Sequence, residues 1–159
     1  MIGTIRAALF RRAIGSALLL GTGLTACAAQ AASVTMYRDP GCGCCLGWAD
    51  HMEHGGRHDV AAVDHPDMAA IKAEHGVPIE LRSCHTATVD GYVIEGHVPA
   101  ADVERLLDRR PAGVTGLAVA GMPVGSPGME QGGRHQPYQV IAFGPAGRAL
   151  WASYPETAA

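Results

Sequence analysis

Three of the chain's five cysteines fall within four positions, Cys42-Gly43-Cys44-Cys45. They come directly after the apolar run Val34-Thr35-Met36-Tyr37 and the turn Asp39-Pro40-Gly41. This order predicts a strand that hands over to a helix, with the sulfurs at the helix N-terminus. Unpaired N–H groups and the macrodipole favour negative charge at that end. Thiols placed there ionise easily and serve as nucleophiles or soft-metal ligands. Whatever the chain folds into must present one β-α junction built around sulfur.

The remaining elements can be read outward from that junction. Cys45 to His54 predicts a helix, with Leu46, Ala49 and Met52 on one face and Gly55-Gly56 ending it. Asp59 to Val63 reads as a second strand. Asp64 is placed to cap a second helix with Pro66 in its first turn, running through Met68 and Ile71 to Gly76. Thr86 to Glu95 alternates around Asp90-Gly91, a strong hairpin signal. Val103, Leu106 and Leu107 form a helical stripe after Pro99 that stops before Pro111. The order β-α-β-α-β-β-α is the thioredoxin arrangement, so the expected class is α/β, a thioredoxin-like core. Tyr138–Phe143 and Arg148–Tyr154 add a C-terminal β-hairpin. One domain over residues 33–154 accommodates all of this, with a glycine- and proline-rich loop at 112–137. Thioredoxins carry a proline at the entry to the third strand; here Ser83-Cys84-His85-Thr86 stands there. On this topology Cys84 faces the other three cysteines.

Residues 1–26 read as an export signal, with Arg6, Arg11 and Arg12 as its basic region and Ala13 to Leu24 as its apolar region. Leu24-Thr25-Ala26-Cys27 resembles a lipoprotein box that would leave Cys27 acylated. Ala29-Gln30-Ala31 offers ordinary signal-peptidase cleavage instead. Either route places the working protein outside the cytoplasm, with a membrane attachment only if Cys27 carries lipid. Loss of three arginines makes the mature chain more acidic than the formal net charge of −3. Lys72 is the single lysine, so a nucleic-acid footprint is absent.

An exported chain with several cysteines ordinarily suggests structural disulfides. The spacing opposes that, because bridges between Cys44 and Cys45 or between Cys42 and Cys44 would be strained. Cys42 and Cys45 have the C-x-x-C spacing of a redox disulfide. Copper(I) favours thiolate, thioether and imidazole. Cys42, Cys44, Cys45 and Cys84 therefore suit several copper ions, since one thiolate can bridge two metals. Adjacent Cys44 and Cys45 fit poorly as two corners of a single zinc tetrahedron. Candidate completing ligands are Met122 and Met129 on the loop, His85 beside Cys84, and His97 after the hairpin. Against this, strand alternation would turn His85 away from Cys84 toward solvent, and His97 reads equally as a polar turn residue. His51, His54 and His58 read as favourable charges at a helix C-terminus, with a weak copper(II) patch as the alternative. Met36, Met52 and Met68 read as core.

The ordered motifs Tyr37-Arg38-Asp39-Pro40-Gly41-Cys42-Gly43-Cys44-Cys45, Ser83-Cys84-His85-Thr86, Gly91 through Pro99, and Gly121-Met122-Pro123 through Glu130 resemble the periplasmic CopG-type copper-resistance proteins. The resemblance implies a thioredoxin-like fold with a multinuclear copper site at C-x-C-C, and binding or redox interconversion of copper alongside an efflux system. Cys42, Cys44 and Cys45 carry over directly and Cys84 by its motif. The readings left open are a copper-binding resistance protein that interconverts Cu(I) and Cu(II), a thiol–disulfide oxidoreductase, and a passive metal chaperone.

Overall fold

A computed structural model of the protein describes residues 32–56 and 58–155. The export signal and Cys27 lie outside the described residues. Among the described residues, seven strands and three α-helices follow the order β1 (Ser33–Arg38), α1 (Gly43–Gly56), β2 (Asp59–Asp64), α2 (Met68–Glu74), β3 (His85–Val89), β4 (Tyr92–Glu95), α3 (Ala100–Arg109), β5 (Gly116–Ala118), β6 (Tyr138–Gly144) and β7 (Gly147–Tyr154). All seven strands form one sheet in the order β2-β1-β3-β4-β5-β6-β7. The first four have β1 parallel to β2 and antiparallel to β3, with β4 antiparallel to β3. This mixed α/β architecture agrees with the thioredoxin-like expectation.

Alternation along the strands separates two cores. Ala87, Val89, Ile94, Leu117, Val119 and Ala142 point to one face, under Trp48 and Met52 of α1 and Val103 and Leu106 of α3. Val93, Ala118 and Phe143 are the intervening positions and pack with Val77 and Leu81 in a smaller cluster. Met36 and Met52 are fully buried in the larger core, as expected, whereas Met68 is only half-buried and belongs to neither cluster. The Asp90-Gly91 turn closes β3 onto β4 with both residues at positive φ (47° and 83°), the conformation a two-residue hairpin of this hand requires.

Three expectations need correction. Asp64 does not cap α2: it ends β2 and pairs with Arg38 at 2.7 Å. The cap is Asp67, whose side chain accepts from the Ala70 amide at 3.0 Å. The loop expected at 112–137 contains β5, which pairs parallel with β4 and antiparallel with β6. The C-terminal hairpin is consequently continuous with the central sheet through that short strand. Helix α1 also begins at Gly43 and runs through Gly56, so the glycine pair closes the helix from inside.

Candidate metal centre

The turn that delivers the cysteines is fixed from both sides. Asp39 accepts from the Gly41 amide through Oδ1 and from the Cys42 amide through its carbonyl, both at 2.9 Å. Arg38 donates from one guanidinium nitrogen to the carbonyls of Asp39, Pro40 and Cys42. Cys44 and Cys45 therefore sit in the first turn of α1, as the strand-to-helix reading required. Cys42 and Cys45 are joined in a disulfide with their Cα atoms 5.5 Å apart. Cys44 and Cys84 remain free thiols. Cys42 and Cys44 sulfurs lie 3.5 Å apart, and the four cysteines form one group whose sulfurs all fall within 4.8 Å of one another.

Cys84 links this group to a second one containing His85 and His97. Its sulfur lies 3.0 Å from His97 Nε2 and 3.3 Å from His85 Nδ1. His97 Nδ1 is 2.7 Å from the Pro127 carbonyl. A carbonyl only accepts, so Nδ1 carries the proton and Nε2 presents its lone pair to the sulfur. A backbone partner of this kind is how ligating imidazoles are commonly oriented. His85 is wholly buried between the Trp48 ring, at 4.6 Å, and the His97 ring, at 5.1 Å. Its Nε2 has no hydrogen-bond partner.

The expected solvent-facing orientation of His85 is overturned. Cys84 precedes β3 instead of lying on it, so strand alternation does not relate the two side chains. His85 shares the face of Ala87 and Val89, which is the face α1 covers. His97 is likewise no turn-surface residue, being completely buried. The other proposed ligands sit on the loop that borders the cluster. Met122 is 53% exposed and follows Gly121, whose amide donates to the Arg82 carbonyl and whose carbonyl accepts from Ser83 Oγ. Met129 is half-buried and follows Gly128, which is pressed against α1 at Cys44, Gly47 and Trp48.

The helix histidines do not gather into a second centre among the described residues. His51 Nε2 accepts from the Ala100 amide at 3.0 Å, capping α3, whose own N-cap is Pro99 with no side-chain bond. Trp48 Nε1 donates to the Val98 carbonyl at 2.8 Å. Two residues one turn apart on α1 thus hold the segment that carries His97. His54 Nδ1 lies 2.8 Å from the Asp50 carbonyl, and His58 is buried against Gly56 with neither ring nitrogen partnered. Sequence reading missed the roles of Trp48, His51 and the Pro127 carbonyl, because nothing in a linear pattern marks a tertiary cap or an imidazole's second partner.

Burial sets the protonation of the group. It lowers the pKa of His85 well below the ordinary value, with the nearby His97 and Lys72 adding to the effect. It lowers His97 as well, against the Pro127 carbonyl and Glu130, which raise it. His51 is lowered by burial against an opposing pull from Glu130. Cys84 is pushed up to about 12, by burial first and by Cys44 next. Near neutrality, then, the centre holds two neutral imidazoles and a protonated thiol, and a metal entering at Cys84 must displace a proton.

These shifts also set a pH dependence. A histidine whose folded pKa lies below its unfolded value of about 6.5 binds fewer protons folded than unfolded as the pH falls. Its stabilising contribution is present above that value and is lost below it. The metal-free protein should therefore lose thermal stability as pH falls from about 6.5 toward 4.5, and His85→Phe should flatten the decline. A melting temperature that rises on acidification over that window would contradict the assignment of buried neutral imidazoles.

A protein-family profile described as "Protein of unknown function, DUF411" matches residues 81–129, the span from the Cys84 entry to the Met129 loop. No curated protein matches significantly. Two solved structures do, described as "Copper resistance protein copG- Form 2" and "Copper resistance protein copG- Form 1". Each is 45% identical with a TM-score of 0.74 and covers 79% of this chain; the match spans 100% of the first and 99% of the second. With that identity over essentially the whole length of those proteins, and a cysteine–histidine group able to hold metal, the chain belongs to the CopG family of copper resistance proteins.

Proposed function

We propose that this protein captures copper in a multinuclear thiolate site outside the cytoplasm and interconverts Cu(I) and Cu(II). The observation that carries the proposal is the continuity of donors: four cysteine sulfurs within 4.8 Å of one another, extended through Cys84 to two buried imidazoles. Soft sulfur with imidazole is a copper(I) donor set, and shared thiolates allow more than one ion. Cys42, Cys44, Cys45 and Cys84 are the proposed sulfur ligands and His85 and His97 the imidazole ligands. Met122 and Met129 supply thioethers from the bordering loop.

The Cys42–Cys45 disulfide supports a redox role, since it gives the site an internal two-electron store. Two Cu(II) ions each take one electron from the reduced pair. Cys42 and Cys45 then close their S–S bond and release two protons, so that the two Cu(I) ions formed are left to the free thiols Cys44 and Cys84 and their histidine neighbours until the bridge is reopened. Reopening the bond needs a two-electron donor such as an external dithiol, and copper leaves for an efflux partner. The same bridge favours a second reading, thiol–disulfide exchange with Cys42 as attacking thiol and Cys45 resolving. The two differ under test. Anaerobic titration of the reduced protein with Cu(I) should load more than one ion per chain, and voltammetry of the loaded protein should show a reversible couple. Silent voltammetry with full loading leaves a passive carrier. Metal-independent disulfide exchange abolished by Cys42→Ser identifies the oxidoreductase.

A further inference from the structure

The chain's only lysine, Lys72, is 5% exposed, and its partner Glu95 is completely buried. Lysine is among the residues least often found inside a protein. Desolvating such a pair costs enough that well-packed apolar replacements are often as stable or more so. Stability alone is thus a poor reason for placing this lysine in the interior.

The bonds made by Glu95 point to another reason. Its Oε1 accepts from Lys72 Nζ at 2.7 Å and from the Ser83 amide at 2.6 Å. Its Oε2 accepts from Thr86 Oγ1 at 2.7 Å, and Lys72 Nζ donates to the same hydroxyl at 3.1 Å. Ser83 and Thr86 are the residues on either side of Cys84-His85. Thr86 stands directly opposite Glu95 in the β3–β4 ladder. Alternation places Thr86 and Glu95 on the sheet face opposite His85, toward α2, which supplies Lys72. One buried carboxylate therefore grips both flanks of the Cys84-His85 pair from behind the sheet. It also reaches the third member of that group along the chain. Gly96, which connects Glu95 to His97, has φ +69°, donates its amide to the His85 carbonyl at 3.0 Å, and packs against the Ser83 side chain where a Cβ would stand.

We infer that Glu95, held by Lys72, is a positioning residue for the metal centre: it fixes the backbone at Ser83 and Thr86 so that Cys84 and His85 converge with His97. The inference rests on the copper-binding reading above. Direct contact with metal is not part of the role. Its function is to keep the Cys84–histidine half of the site preorganised, so that a loading metal need not order a strand entry.

The test compares four proteins by anaerobic competition for Cu(I) against a chromophoric chelator, together with thermal melting. These are the wild type, the Cys42→Ser/Cys44→Ser/Cys45→Ser variant, Lys72→Met/Glu95→Leu, and Glu95→Gln. The apolar double variant is expected to fold with a lowered melting temperature, because the Ser83 amide and the Thr86 hydroxyl lose their acceptor, and to bind Cu(I) at least about tenfold more weakly, with its copper–imidazole scattering reduced. Glu95→Gln keeps an acceptor for Ser83 and should recover most of the affinity; this rescue is one that a general loss of packing would not give. Wild-type affinity and scattering in both pair variants would overturn the inference. If the double variant does not fold, Glu95→Gln against Glu95→Ala decides by the same criterion, equal affinity in the two being the overturning result. A wild type that binds no better than the triple serine variant would defeat the copper reading itself, a separate outcome.

Discussion

Replacing Cys42, Cys44 and Cys45 together with serine is expected to abolish tight Cu(I) binding. A serine hydroxyl is a hard, weakly acidic donor where the site offers soft sulfur, so the change removes three of the four converging sulfurs without altering side-chain shape. The loss should be several orders of magnitude in affinity, on the scale set by replacing thiolate coordination in metal sites. The fold should persist. Cys45 is a core residue, but the larger core around it holds Trp48, Met52, Leu106 and Leu117 independently. Chelator competition on the folded variant measures the effect, with circular dichroism confirming the fold. Retained tight binding would place the metal elsewhere.

The second large effect is expected from a single methyl group. Gly128 lies on the loop that borders the site, at φ +82°. A Cβ there would stand 2.5 Å from the Trp48 nitrogen and 2.7 Å from the Cys44 carbonyl oxygen, both backbone atoms of α1. Gly47 faces it, and a Cβ at Gly47 would be 3.0 Å from the Gly128 Cα. Helix and loop thus meet glycine to glycine, and neither backbone can yield cheaply. Gly128→Ala adds left-handed strain to overpacking and should cost at least about 2 kcal/mol. Because Pro127 bonds His97 through its carbonyl, displacing the loop should also release the His97 tautomer lock and weaken copper binding. Gly132→Ala is the control: φ is +57° there, but nothing lies within 4 Å of the added carbon. It should cost only about 1 kcal/mol and leave copper binding unchanged. Equal destabilisation by the two substitutions would show that the close contact is not as described.

Much of the fold was legible because local chemistry and tertiary structure agree. Asp90-Gly91 needs positive φ at both positions and marks its hairpin unaided. The Asp39-Pro40-Gly41 turn and the glycine pair at 55–56 likewise bracket α1. β5 escaped detection because Gly116-Leu117-Ala118 is too short to show a period and owes its conformation to β4 and β6 on either side. Asp64 was the expected cap, but it ends β2 in an ion pair with Arg38, and Asp67, nearer the first turn of α2, takes that place. The four sulfurs could be gathered from spacing and strand order alone. His85 and His97 could be named as candidates but not placed, since the alternation argument that turned His85 toward solvent required Cys84 to lie on the strand. The Lys72–Glu95 pair left one faint trace, a solitary lysine on a helix, with nothing to say that it turns inward.

Binding of copper by the assembled cysteine–histidine group is what the whole account depends on. X-ray absorption at the copper edge, on protein reduced and loaded with Cu(I), tests it most directly. Dominant copper–sulfur scattering, a copper–copper contribution from bridged ions and a smaller imidazole component are expected. A first shell of oxygen and nitrogen alone, with the reduced cysteines left free of metal, would contradict that binding.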